Sequence, residues 1–366
     1  MNNNISIFVN GVKLERFLEI TANVDSQNIG GTFIFSSIDK QAANVASRVV
    51  IKCGGQTFMS GFILKKSLKF TKTGGSVWEF SGVDRLGFLG NCQFSKHAYF
   101  QNKSALEIAR AVIADLENCS DYQIEEIRQS AIDEFEIFAG ESIGGCLGKI
   151  SALAGKFVYT KPRGAIEFAK AGAASGSVNL TVGQSEIREI SIEENIEGCA
   201  SVILGRTDID GTEDTPRYKI MRPVNSFPSR DSVYMPNYLC AAKKGDLENI
   251  VQRRYEETIS ALRTLKIECA GCLNPDNGVW AVNSRVWYRD ELGKTGFSGR
   301  YNLKAVEIKK SKRGGAVSTL TLSNLPLETA QTNAGVTTQT INDGKISGLV
   351  FTPVDEHKEA YNGGGR

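Results

Sequence analysis

The sequence predicts a β-rich α+β protein with two related antiparallel β-barrel domains, an α+β unit between them, and a helix-containing insertion in the second. Three observations carry this expectation. Apolar residues alternate with period two near both ends of the chain, amphipathic helical spacing is confined to the middle and to one later stretch, and a hairpin near residue 70 returns near residue 310.

A chain of 366 residues is long enough for more than one core, since domains usually hold about 100–200 residues. Its 37 glycines exceed the usual share of about 7%, which suggests many turns and hence many strands.

Residues 1–90 read as the first barrel. Ile5, Ile7 and Val9 alternate, Asn10-Gly11 offers a two-residue turn, and Val12, Leu14, Leu18, Ile20, Ala22 and Val24 resume the period. Phe33 and Phe35 share a face. In "GFILKKSLKFTKTGGSVWEFSGVDRLGFLG", Phe62, Leu64, Leu68 and Phe70 fall on one side, with Lys65, Lys69 and Thr71 on the other. Gly74-Gly75 closes this hairpin, and Trp78 and Phe80 pack on the return strand. Asp84 follows the strand directly, where an aspartate accepts amide hydrogens of the next turn, here around Arg85 to Gly87.

Residues 91–175 read as the α+β unit. "SALEIARAVIADLE" opens with the capping pair Ser104 and Glu107 and repeats apolar groups at Leu106, Ala109, Ile113 and Leu116. "ESIGGCLGKISALAGK" gives a second helix, and "FVYTKPRGAIEFAKAG" a strand, turn and strand. Residues 176–326 return to strands. They are interrupted by a polar excursion at about 206–240 and a long helix from Asp246 to about 265, with Leu247, Ile250, Tyr255, Ile259, Leu262 and Leu265 inward. Residues 327–366 are too polar to order themselves and read as a flexible tail.

Matching Gly74-Gly75 to Gly314-Gly315 lays Leu68 on Ile308, Lys69 on Lys309, Lys72 on Lys312, Val77 on Val317 and Phe80 on Leu320. The two hairpins then share one register, as an internal duplication would give, although short amphipathic hairpins with glycine turns also agree by chance.

Chemistry finds little support. The chain has two histidines, and neither His97 nor His357 stands near a nucleophile signature. Cys269 and Cys272 resemble half a zinc site without a second pair, and residues three apart on a regular strand face opposite ways, so the cysteines read as core. With no leader visible, the eight cysteines are expected reduced, in protein made in the cytosol. Carboxylates at Asp133, Glu134 and Glu136, and at Glu193 and Glu194, read as solvated turns rather than a glycosidase pair. Catalytic, cofactor and metal sites are therefore all expected to be absent, and no stretch approaches the length of a membrane-spanning helix. A net charge of +2 leaves charge arguments local. Lys65, Lys69, Lys72, Lys309, Lys312 and Arg313 either guard strand edges or form a basic rim that meets an acidic partner or lines a channel for DNA.

The succession of the Asn-Gly hairpin, "GTFIFS", "GFILKKSLKF", "SGVDRLGFL", "FQNKSALEIARAVIADL" and "LKIECAGCLNPDNGVWAVNSRVWYRDELG" resembles the baseplate hub proteins of Mu-like contractile-tailed phages, in the late-control and tail-hub group. The likeness covers residues 1–326 and lies in order and spacing. Val83 stands where that family's Ser-Gly-Arg-Asp element carries arginine. The resemblance implies a non-enzymatic virion protein of a phage or tailocin, assembled in the host cytoplasm. It implies a homotrimer whose paired barrels make a pseudo-sixfold ring, joining a hexameric tail tube and other baseplate proteins to a trimeric central spike. It also implies an axial channel through which DNA passes without specific binding. The alternatives are a type VI secretion spike head, a tail-associated peptidoglycan hydrolase and a carbohydrate-binding module.

Overall fold

The computed structural model describes residues 4–39, 43–71, 75–116, 122–127, 131–173, 176–183, 186–207, 217–224, 235–241, 244–293, 295, 297–311, 314–325 and 337–341. The chain opens with a hairpin of β1 (Ile5–Val9) and β2 (Val12–Lys13). Its two turn residues, Asn10 and Gly11, have φ of 48° and 84°, the left-handed pair that a tight hairpin turn requires. Then come β3 (Glu19–Asp25), β4 (Thr32–Ser37), β5 (Arg48–Cys53), β6 (Gln56–Thr71) and β7 (Gly75–Asp84). Alternation along β1, β3 and β5 buries every second residue, so the period-two pattern becomes one apolar face.

The middle unit comprises α1 (Arg85–Leu89), β8 (Ala98–Ser104), α2 (Ala105–Ala114), β9 (Ile124–Glu126), β10 (Ala131–Ile137), α3 (Ile143–Leu153), β11 (Phe157–Thr160) and β12 (Ile166–Ala169). Strands β8 and β10 pair, and β11, β12 and β9 make a second small sheet. The Ser104 and Glu107 capping box forms as the spacing predicts, and it starts α2 where the β8 strand ends. Ile108, Val112, Ile143, Leu147 and Phe168 sit in a core of their own.

Next follow β13 (Ser177–Thr181), β14 (Ile187–Glu194), β15 (Val202–Thr207), β16 (Arg217–Pro223), β17 (Pro236–Ala241), α4 (Lys244–Leu262), β18 (Arg263–Ala270), β19 (Arg285–Arg289), β20 (Gly299–Ser311), β21 (Ala316–Asn324) and β22 (Thr337–Ile341). Here two expectations change. The stretch read as a polar excursion supplies β16 and β17, which join β15 and β22 in a four-stranded sheet under α4, with Ile203, Ile220, Leu247, Val251 and Ile259 between. The strands were hidden because Ile220 is the one buried residue among the described side chains of β16 and β17, so the sequence shows no alternation there. In the segment read as a tail, residues 337–341 pair with β16, while 327–336 and 342–366 lie outside the described residues.

The large sheet has 13 strands, and its main path runs β14-β18-β21-β20-β3-β4-β7-β6-β5-β1-β2, with β19 and β13 continuing beside β20. It contains the same six-stranded array twice. One is β3-β4-β7-β6-β5-β1, and the other is β14-β18-β21-β20-β19-β13, each with its strands in the same chain order. Along the two long hairpins the pairing is identical when each number is raised by 240: Lys69 faces Val77 as Lys309 faces Val317, and Lys66 faces Phe80 as Val306 faces Leu320. Even the irregularity repeats, with register shifts between Ile63 and Lys65 and between Leu303 and Ala305. A difference lies at the last strand, where β1 runs antiparallel to β5 but β13 parallel to β19.

The arrays are not separate bodies, as two independent domains would be. Strand β20 pairs with β3 from Ala305 opposite Asp25 to Ser311 opposite Glu19, which makes one continuous sheet. A single apolar cluster runs through both, from Ile7, Phe35 and Phe80 to Ile267, Tyr288 and Leu320.

The arrays differ where β6 and β7 approach most closely. A Cβ on Gly61 would meet the Val83 carbonyl oxygen at 2.0 Å, although the equivalent position in the second array carries Tyr301. Gly61→Ala is therefore expected to lower unfolding stability by about 1–3 kcal/mol in urea titration. Gly315→Ala, with nothing within 4 Å, should stay near wild type.

Candidate functional site

Asp84 ends β7 and caps α1: the Gly87 amide donates to its Oδ1 at 2.7 Å. Its role is structural, since its carboxyl is fully buried beside glycines rather than at a cleft. Arg85 next to it is buried too, its guanidinium 4.2 Å from the centre of the Tyr122 ring. Together they dock the first array on the middle unit. A second polar joint lies beneath, where Lys156 and Glu126 form a buried ion pair at 2.5 Å and Glu126 also accepts from the Leu106 amide at the start of α2. A third reaches the second array: Asn283 donates to the Tyr159 hydroxyl and the Lys170 carbonyl and accepts from the Gly172 amide. Hydrogen bonds, an ion pair and a ring contact thus cross the elements at these joints, which fixes how the three parts sit.

Burial pushes the Asp84 carboxyl above its ordinary 3.8, and the Gly87 and Gly31 amides, the Thr160 hydroxyl and the Leu86 amide pull it back only in part. Its Oδ2 lies by Thr160 without a hydrogen bond of good geometry. A raised group contributes stability that is whole below 3.8 and is lost as pH rises through its value in the fold. Asp84→Asn keeps a capping oxygen and removes the charge, so the variant should gain on wild type as pH climbs above 3.8. Urea midpoints of both proteins from about pH 4 to about pH 7 measure this, and parallel curves would contradict it.

The other chemical candidates are dispersed. His97 is exposed, bonds Glu136 at 2.7 Å and stacks on Phe138, while His357 lies outside the described residues. Glu193 and Glu194 reach across to Lys266 and Arg263 on β18. Cys269 and Cys272 are both buried: β18 stops at Ala270, so the opposite-face rule of a regular strand no longer holds at Cys272. Cys272 lies beside Cys53 of the first array, and this contact, with burial, raises the Cys53 thiol. Among the described residues no group of three His, Cys, Asp or Glu is placed to hold a metal ion, and no helix is long and apolar enough to cross a membrane.

The lysines separate into different settings. Lys65 and Lys69 are exposed on the outer face of β6. Lys66 turns inward, donating to the Ala43 carbonyl and Asn44, with its ammonium 5.0 Å from the Trp78 ring. Lys309 on β20 pairs with Glu307 at 2.6 Å. Lys72, Lys312 and Arg313 lie outside the described residues. Three strands separate β6 from β20, so the lysines of the two hairpins do not form one cluster across the sheet.

Sequence reading missed what surrounds Lys65 and Lys69. Strand β5 pairs with β6 only as far as Phe62, and among the described residues no strand pairs with the outer edge of 65–71. Leu68 is 51% and Phe70 71% exposed there. Strand β14, at the far end of the sheet, also has one edge unpaired among the described residues, and it carries Glu189, Glu193 and Glu194. The duplicated hairpin was the available signal: its second copy is covered by β3, its first is not.

No family model matches the chain, and no curated protein does. Solved structures do. A tail protein from Neisseria meningitidis aligns with TM-score 0.73 at 18% identity, over 87% of this chain and 96% of that one. The 43 kDa tail protein of prophage MuSo2 from Shewanella oneidensis gives 0.69 at 14%, over 87% and 98%. An E. coli component of the type VI secretion system, described as structurally similar to the T4 bacteriophage tail proteins gp27 and gp5, gives 0.58 at 10%, over 88% and 77%. The chain has the fold of phage tail proteins, as the resemblance in its sequence implied. Among them its likeness extends to a tail protein of a Mu-like prophage.

Proposed function

We propose that this chain is the structural hub of a contractile-tail baseplate, in a phage or tailocin. Three copies form a ring that joins a hexameric tail tube, and the baseplate proteins around it, to a trimeric central spike. The ring leaves an axial channel for DNA, and the protein acts without catalysis. It is made in the host cytoplasm and carried in the virion tail.

The observation that carries this reading is the duplication at a spacing of 240 residues, in which strand order, register and bulge all recur. Three chains with two such arrays present six similar surfaces, the simplest way for a trimer to seat a sixfold partner. The extent of the alignment with phage tail proteins supports it. A type VI spike-head role is the second reading, favoured by the E. coli component at TM-score 0.58.

Reconstitution separates these possibilities. Purified full-length chain mixed with the tube and spike proteins of the same particle should give one complex with three copies of this chain between them. Binding to neither protein, or clearing of peptidoglycan in a zymogram, would overturn the reading. Capture of a type VI effector-bearing spike in place of the tail spike would favour the second.

A further inference from the structure

The seam between β20 and β3 shows what the first array lacks. Within the second array's long hairpin, residues 305–311 of β20 are covered by β3, and Ile308 is 1% exposed. The equivalent residues of the first array are 65–71 of β6, where the counterpart of Ile308 is Leu68, 51% exposed. The counterpart of β3 is β14: Ile20 and Ala22 face Phe35 and Phe33 of β4, as Ile190 and Ile192 face Ile267 and Leu265 of β18. One molecule thus displays both halves of a second seam, on different arrays and without each other.

We propose that residues 65–71 of one copy pair antiparallel with residues 189–195 of the next, repeating between chains the seam made within each chain. This rests on the ring reading above and specifies its subunit contact. Carrying the register of β20 and β3 over places Lys65 opposite the partner's Asn195, Leu68 opposite the partner's Ile192, Phe70 opposite the partner's Ile190 and Thr71 opposite the partner's Glu189.

Both faces of this register are chemically matched. On the inner face, the exposed Leu68 and Phe70 meet two isoleucines, as Ile308 meets Ala22 in the existing seam. On the outer face, Lys69 lies opposite the partner's Ser191 and diagonal to the partner's Glu189 and Glu193. Diagonal neighbours on one face are about 7–8 Å apart, within reach of lysine and glutamate. The basic edge and acidic edge are therefore matched in sign. A contact between two different edges is head-to-tail, and it closes into a ring when its rotation divides a full turn.

Lys69→Cys and Ser191→Cys placed in one full-length chain test the register directly. Mild oxidation should give reducible bridged species ending at three copies, absent from either single variant. Separately, Lys69→Glu should weaken self-association about tenfold, and adding Glu189→Lys should restore it. Trimers that form without the bridge and ignore Lys69→Glu would overturn the pairing and leave the hub reading standing. Lysines acting only as edge guards predict the same insensitivity. A chain that stays monomeric at about 100 μM, with no bridge, would overturn both. Bridged species continuing past three copies would keep the pairing and overturn the trimeric ring.

Discussion

Seven consecutive residue pairs between β3 and β20 turn two arrays into one sheet, and the remaining architecture follows from that join. Strand β20 is long enough to serve two neighbours on one edge, β19 with residues 299–302 and β3 with 305–311. The changeover falls at the bulge, where the Lys304 carbonyl, out of step with the ladder, accepts from both the amide and the hydroxyl of Ser26. Because the seam is antiparallel and in register, Ile20, Ala22 and Val24 enter the same apolar layer as Val306 and Ile308. Neither array could slip by one residue without turning that layer to water.

A shared frame leaves freedom elsewhere, and the two copies have used it differently. The first array leaves no room for a Cβ at Gly61 and Gly82, while the second holds Tyr301 and Leu322 at the equivalent positions. The first leads into α1 through the buried Asp84 cap. In the second, β15, β16, β17 and α4 are inserted between β14 and β18, with their own core of Ile203, Leu247 and Val251. These additions do not disturb the pairing of β14 with β18, so decoration and frame are separable.

Much of this was legible from residue order. The Asn10-Gly11 turn, the Ser104 and Glu107 capping box, the Asp84 cap and the hairpin match at 240 residues are local, and local chemistry fixes each of them. Strands β16 and β17 were not legible, because Ile220 alone is buried among their described side chains, which leaves no apolar alternation to read. Lys65 and Lys69 were visible as a basic cluster, but the exposed strand edge that carries them was not, since which strand covers an edge depends on distant segments.

By itself the sequence determined the periodicity of each strand, the caps, the turns and the existence of a repeat, all of which depend on neighbours within a few residues. Tertiary structure alone decided which edge of the repeat is covered. Strand pairing is a contact between distant segments, and identical hairpin patterns are compatible with a covered or an open edge. That choice buries Ile308 and leaves Leu68 in water.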